Sequence, residues 1–137
     1  MGNFGAQQII TTNANGAKDV YAADLDGDGD NDVLSASWYD HRIAWYENDG
    51  IGNFSTQEII TTNANGANSV YAADLDGDGD NDVLSASLND DKIAWYENDG
   101  NGNFGTHHEV TTAVAGASNV YAIDLDGDGD NDVLSAS

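Results

Sequence analysis

The feature that most constrains this chain is an internal repeat of 50 residues. The tripeptide Gly-Asn-Phe begins at positions 2, 52 and 102, and segments 2–51 and 52–101 differ at only 10 positions. A repeat of this length is usually one supersecondary unit, which buries its apolar surface only against its neighbours. The sequence therefore predicts an array of about 2.7 similar units rather than one irregular domain.

Each unit reads as four short strands. In the second copy we predict them at 58–62, 69–75, 82–88 and 92–97. These stretches are rich in Val, Ile, Thr and aromatic residues, whereas the connections are rich in the turn formers Asn, Gly and Asp. Because Val70 and Ala72 alternate with Tyr71 and Ala73, both faces of the sheet carry apolar groups. Such a sheet needs a neighbour on each side, which favours an all-β fold of four-stranded antiparallel propeller blades over a β-sandwich or a solenoid.

An acidic segment, Asp-Leu-Asp-Gly-Asp-Gly-Asp-Asn-Asp, occurs once per unit, at 24–32, 74–82 and 124–132. These segments hold 15 of the 25 acidic residues. Alternating carboxylates with a Gly at the sixth position suit Ca²⁺, which takes about six to eight oxygen ligands. An EF-hand is excluded, since Ser35 stands at position 12, where that loop needs Glu. We expect about one Ca²⁺ per repeat, three per chain; the alternative is an exposed acidic turn without an ion.

The block VYAADLDGDGDNDVLSAS, followed by IAWYEND and GNF, resembles the FG-GAP/VCBS repeat of integrin α-subunit propellers and of many secreted bacterial proteins. The resemblance covers nearly the whole chain and implies a calcium loop between the first and second strands of each blade. The ligands that it implies are the side chains of Asp24, Asp26, Asp28 and Asp32 with the carbonyl of Asp30, then Asp74, Asp76, Asp78, Asp82 and Asp80, and Asp124, Asp126, Asp128, Asp132 and Asp130. The Phe-Gly pair departs from the pattern at Phe54-Ser55.

In the terms of that family, residues 1–17 supply the outer strand of a shared blade, at 7–12. A first blade follows at 18–67, a second at 68–117, and the two inner strands of an incomplete blade at 118–137. Fewer than three blades do not close a ring, since propellers have about four to eight. We expect completion either by a head-to-tail homo-oligomer, with a dimer favoured, or by further sequence. Because the copies are nearly identical, a designed, self-assembling symmetric propeller is a further alternative.

Composition excludes several partners. The formal net charge is −22, with 3 Lys and Arg, so we expect no nucleic-acid partner. No apolar run approaches the roughly 18 residues of a membrane span, and no signal peptide is visible. The absence of Cys excludes disulfides and thiolate metal sites. The leading prediction is a calcium-stabilised structural or adhesion module, without catalysis, that works outside the cell or at its surface.

One turn suggests a different function. Trp38, Tyr39, His41 and Arg42 all differ between the first two copies and lie between the second and third strands, on the rim opposite the calcium loops. The two aromatic rings suit stacking on a sugar, with His41 and Arg42 as polar partners. This gives an alternative, a carbohydrate-binding propeller; the competing interpretation is drift at an exposed turn.

Overall fold

The computed structural model describes residues 5–137, and these residues form an all-β fold. Their strands are β1 (Ala17–Ala23), β2 (Asp32–Ser37), β3 (Arg42–Tyr46), β4 (Glu58–Thr61), β5 (Ala67–Ala73), β6 (Asp82–Ser87), β7 (Lys92–Asn98), β8 (Phe104–Thr111), β9 (Asn119–Ile123) and β10 (Asp132–Ala136). Within residues 5–137 there is no helix with the length and apolarity needed to cross a bilayer.

The strands pair in sequence order. Strands β1 to β4 form one antiparallel sheet, called blade 1 below, and β5 to β8 form a second, called blade 2. Strands β9 and β10 form a two-stranded sheet, the half-blade. The predicted fold class, four-stranded antiparallel blades in an all-β chain, is confirmed. The predicted strand at 69–75 instead ends at Ala73, because the amide of Leu75 donates to the Asp82 carboxylate rather than to the sheet.

Both faces of blade 2 are buried, as their apolar alternation predicts. The side of each blade that faces the following one is called its front face, and the opposite side its back face. The front face of blade 1 packs on the back face of blade 2 through Leu34, Ala36, Ile43 and Trp45 against Val70, Ala72, Val83, Ala94 and Tyr96. The front face of blade 2 packs on the half-blade in the same way, through Leu84, Ala86 and Ile93 against Ala117, Val120 and Ala122.

The first strand of each sheet lies where neighbouring blades converge. The rings of Tyr21 and Tyr71, on β1 and β5, have their centroids 4.6 Å apart, and those of Tyr71 and Tyr121 are 4.5 Å apart. Further out, Trp45 of blade 1 meets Phe104 of blade 2 edge to face at 6.3 Å. Successive blades are therefore in contact from the inner strand to the outer connections.

Residues 7–12 form no strand in the structure, although the sequence predicts one there. A strand requires a hydrogen-bonding partner, and these residues pair with no neighbouring strand within residues 5–137. Ile9 and Ile10 instead lie beside the back face of blade 1, where they line a cavity of about 300 Å³ with Val20 and Tyr46. A blade shared between chains stays a prediction, and residues 1–4 lie outside the described part.

Candidate metal centre

Each acidic segment lies between the first and second strands of its sheet and is curled by its own hydrogen bonds. The Asp24 carboxylate accepts from the amides of Gly27, at 2.8 Å, and Gly29, at 3.0 Å. Gly27 and Gly29 have φ of 77° and 96°, which L side chains rarely adopt. The same two bonds recur at Asp74 and Asp124. The loop folds back on its first residue, so that alternate side chains turn toward one centre.

This curl gathers three carboxylates in every loop. Each cluster offers oxygen atoms that all lie within 4.8 Å of one another: Asp24, Asp26 and Asp32; Asp74, Asp76 and Asp78; Asp124, Asp126 and Asp132. Around a cation with ligands at about 2.3–2.6 Å, two oxygens are at most about 5 Å apart. The spacing fits one central ion, and an all-oxygen, all-anionic donor set suits Ca²⁺ rather than a softer metal.

The carboxylates at the ninth position of the first two loops are buried anchors. Asp32 accepts from the amides of Leu25, at 2.9 Å, and Asn48, at 2.8 Å, and its side chain is fully buried. Burial raises the pKa of Asp32 above its ordinary value; the two amide bonds oppose this, and the charges of Asp26 and Asp28 add to it. Asp82 repeats the arrangement with Leu75 and Asn98, and burial raises its pKa as well. A cation bound in each of these loops would offset the cost of burying the Asp32 and Asp82 carboxylates.

Other predicted ligands take different places in different loops. Asp28 lies outside the first cluster, and its Oδ1 accepts from the amide of Asp30 at 2.8 Å. In the second loop Asp78 joins the cluster and Asp82 does not. The side chain of Asp30 lies against Gly50, so close that a Cβ on Gly50 would overlap it, and Asp80 lies against Gly100 in the same way. The seventh residue thus turns its carboxylate out of the loop, which leaves its carbonyl as the atom predicted to bind.

Sequence reasoning missed the asparagines that tie the first and second loops to the sheet that follows each of them. Asn81 donates from Nδ2 to the Asp24 carbonyl at 3.0 Å, and Asn131 donates to the Asp74 carbonyl at 2.8 Å. Asn98, which is buried, donates to the carbonyls of Leu25, at 2.8 Å, and Asn81, at 2.9 Å. The available signal was the Asn at the eighth position of all three acidic segments. The first two candidate ion sites are therefore part of contacts between successive sheets.

On the opposite rim, the four predicted ligand-binding residues fall into two groups. Tyr39 is 69% exposed, and Lys18 places its Nζ 5.2 Å from the ring centroid of Trp38. His41 instead accepts from the Gly66 amide through Nδ1 at 3.1 Å. Arg42 donates to Gln57 at 3.3 Å and lies 3.6 Å from Asp40. Tyr39 is therefore open to solvent and Trp38 is half-buried beneath Lys18, whereas His41 and Arg42 are engaged within the protein.

Asp91 shows that the His41 contact is structural. It occupies the same repeat position and accepts from the Gly116 amide at 2.8 Å, as His41 accepts from Gly66. Both residues also have positive φ, 56° for His41 and 55° for Asp91, so that each side chain reaches the following unit. The difference between the two copies therefore preserves one acceptor at a blade contact.

Comparison with known proteins bears on these loops and on the fold. The FG-GAP-like repeat matches residues 24–85 and 74–135, each match running from one acidic loop through the next. A solved structure, described as the basis of specific recognition of non-reducing terminal N-acetylglucosamine by an Agrocybe aegerita lectin, is similar with a TM-score of 0.63 and 23% identity. The similarity covers 85% of this chain but 31% of the lectin, so the chain spans about a third of that protein. No curated protein sequence matches. Because the two matches cover most of its length, the chain belongs to the FG-GAP-like repeat family.

Proposed function

We propose that this chain is a non-catalytic propeller scaffold whose blades are stabilised by Ca²⁺ in the three acidic loops. The observation that carries the proposal is the cluster of three carboxylates in every loop. The first two loops also contact the sheet that follows each of them. When bound, the ion supplies positive charge that offsets the mutual repulsion of these carboxylates.

The chain's own residues connect the ion site to the fold. In the second loop, Asp74 and Asp76 hold oxygens toward the centre, and the amides of Gly77 and Gly79 fix the Asp74 carboxylate. Asn131 holds the Asp74 carbonyl from the half-blade. An ion that orders this loop therefore also orders the junction of two blades, and ligand that binds only the folded state stabilises it by mass action.

We place such a scaffold outside the cell or at its surface, in structural or adhesion roles. Extracellular calcium modules bind with dissociation constants on the order of 10⁻⁴–10⁻³ M, in keeping with a calcium-rich compartment. A loop of this affinity is largely empty at the much lower calcium levels within cells. At ten times the dissociation constant, each site would add about 1.4 kcal/mol to the free energy of unfolding.

Thermal unfolding with and without calcium tests the proposal. We expect the Tm to rise with millimolar Ca²⁺, to fall with a chelator, and to respond less to Mg²⁺, which keeps its waters. Asp76→Asn should remove a large part of the calcium-dependent rise. Asp80→Asn is the matched control, since it makes the same change of charge in the same loop, on a side chain directed at Gly100.

Two results would contradict calcium stabilisation. The first is a Tm that is the same in calcium and in chelator. The second is an equal loss in the Asp76 and Asp80 variants, which would mean that net charge rather than a specific site governs the response. Isothermal titration with Ca²⁺ reports the same comparison without unfolding the protein.

A second candidate function, carbohydrate binding, rests on the rim opposite the loops. The exposed Tyr39 and the Lys18–Trp38 pair offer aromatic surface beside a cation, which suits stacking on a sugar ring. The similar lectin is described as recognising terminal N-acetylglucosamine, and its low identity limits that likeness to the fold. A glycan array tests this candidate. Tyr39→Ala should abolish any signal, whereas Asn89→Ala, at the same position of blade 2, should keep it.

A further inference from the structure

The back face of blade 1 is exposed at its inner strand, at a position that is buried in blade 2, although Ala44 and Tyr46 further out on this face are buried. Val20 and Val33 of blade 1 correspond to Val70 and Val83 of blade 2. Val70 is 2% exposed against blade 1, whereas Val20 is 65% exposed. The neighbouring cavity of about 300 Å³, with Ile9 and Ile10 on its far wall, leaves room for side chains to enter. This face has the chemistry to receive the front face of another blade.

The half-blade carries the complementary surface. Leu134 corresponds to Leu34 and Leu84, which are fully buried where they meet the following blade, yet Leu134 is 36% exposed. Tyr121, on the same face of the half-blade, is also exposed. Its counterpart in blade 2, Tyr71, is covered on this face by the ring of Tyr121. The half-blade therefore presents the counterparts of Leu34 and Ala36, two of the four residues that blade 1 uses to bind blade 2.

Polar groups match as well. Asn81 and Asn131 each donate to the carbonyl of the first Asp in the preceding loop, Asp24 and Asp74. Asn31 stands at the same position of the first acidic segment, and it is exposed on blade 1. The Asp124 carbonyl, on the half-blade, is the counterpart of the Asp24 and Asp74 carbonyls. In the same arrangement, Asn31 of one copy would donate to the Asp124 carbonyl of the other, as Asn81 donates to Asp24.

We propose that a second copy of this chain docks its half-blade on the back face of blade 1, in the arrangement that joins blade 1 to blade 2 within each copy. The occupant is argued from that internal interface, the inner part of which recurs between blade 2 and the half-blade at equivalent positions. The contact is head to tail, so each copy uses a different surface and both surfaces can be engaged at once. This interaction goes beyond the proposed calcium function and does not depend on it.

Charge opposes the association and sets the conditions for the test. Two copies of net charge −22 repel each other at low ionic strength. At about 0.15 M salt the Debye length is about 8 Å, which screens charges outside the contact but leaves the apolar contact intact. Light scattering should therefore be measured at this ionic strength over a range of protein concentrations, once with Ca²⁺ and once with a chelator.

We expect a mass that rises with concentration from 14.4 kDa to at least twice that value. Val20→Asp and Leu134→Asp each place a charge in the contact and should weaken association on the order of 100-fold. Ile51→Asp is the control, because it makes the same type of change at a turn residue that is 85% exposed. All three sites are exposed in the single chain, and far-UV circular dichroism verifies that each variant folds.

Mixing the variants tests the direction of docking. A Val20→Asp chain keeps an intact half-blade, and a Leu134→Asp chain keeps an intact back face, so an equimolar mixture should form one-to-one pairs that neither variant forms alone. Three results would overturn the proposal: a mass of 14.4 kDa at every concentration, weakening by Ile51→Asp equal to that by Leu134→Asp, or a mixture no heavier than its components. If the chains associate in chelator and the Tm does not change with calcium, this contact stands and the proposed calcium function is wrong.

Discussion

Asn98 is the residue at which the candidate ion site, the sheet and the blade contact meet. Its side chain donates to the carbonyls of Leu25 in blade 1 and Asn81 in blade 2, and its own amide donates to Asp82. Asn48, at the same position of blade 1, bonds Asp32 and Asn31 in the same manner. The pair differs in the bond across blades, since Asn98 reaches Leu25 in the neighbouring blade.

We therefore expect Asn98→Ala to lower the free energy of unfolding by about 2–3 kcal/mol, because it leaves buried carbonyls without donors. Asn48→Ala should cost roughly 1 kcal/mol, since its carbonyl partner lies near solvent. Urea unfolding of both variants measures the difference. Equal losses would mean that the bond from Asn98 to blade 1 does not contribute to stability.

Asp99 gives a pH dependence at a single turn. The amide of Asn101 and the side chain and amide of Asn103 donate to its carboxylate, and these bonds lower the pKa of Asp99 below its ordinary value of 3.8. A carboxyl group with a lowered folded-state pKa stabilises the fold above the unfolded pKa and loses that contribution as pH falls through the folded value. Asp99→Asn should lower the Tm at pH 6.

The difference in Tm between the Asp99→Asn variant and the unaltered protein should shrink as the pH falls from about 3.8, the ordinary pKa that applies to the unfolded chain, through the lower pKa of the folded state. Calorimetry in chelator at a series of pH values measures it without interference from calcium. A difference that is constant from pH 6 to pH 3 would show that the substitution acts through side-chain shape rather than through charge.

Among the structural elements, the connections between the third and fourth strands show how the same residue acquires different roles in two copies of the repeat. Gly52 and Gly102 occupy the same repeat position, with φ of 92° and 73°. A Cβ on Gly102 would lie 2.6 Å from the Trp45 ring of the preceding blade, whereas a Cβ on Gly52 would meet no atom within 4 Å. Gly102 thus lets the Trp45 side chain pack on the next blade, and Gly52 permits only the turn.

Alanine at the two glycines separates backbone strain from blade packing. Gly52→Ala should cost about 1 kcal/mol for the left-handed conformation alone. Gly102→Ala should cost about 1–3 kcal/mol more, because the methyl group displaces Trp45. Thermal unfolding, with Trp fluorescence to follow the Trp45 environment, measures both. If the Gly52 variant is destabilised as much as the Gly102 variant, the close approach of Trp45 carries no energetic weight.

The elements that could be predicted from the sequence are those fixed within one repeat. The alternation around Val70 and Tyr71 predicts strands buried on both faces, and the acidic segment predicts its own turn. Contacts between repeats could not be predicted, because they depend on which units are neighbours. Asn81 and His41 illustrate this: their side chains reach the preceding loop and the following turn, respectively. No spacing within one unit indicates those partners.

At the scale of the whole molecule, three identical acidic loops have three different surroundings. Asp32 and Asp82 are fully buried and each accepts from two amides, one of them at or just beyond the end of the third strand. Asp132 is exposed, and within residues 5–137 the Leu125 amide is the donor that reaches it, at 3.0 Å. The first two loops are therefore held in a shape close to the one that a cation needs. The third loop must lose more conformational freedom when it binds a cation.

We expect the third loop to bind calcium more weakly than the other two, because ordering its ligands costs conformational entropy that the other loops have already lost on folding. Asp26→Asn, Asp76→Asn and Asp126→Asn make one chemical change in three identical segments. The first two should reduce the calcium-dependent rise in Tm more than the third. Isothermal titration of the unaltered protein should resolve two tighter sites and one weaker site, and the Asp126→Asn variant should lose the weaker one. Three sites of equal affinity would mean that the sequence of the loop alone, and not its place among the blades, determines how the ion is held.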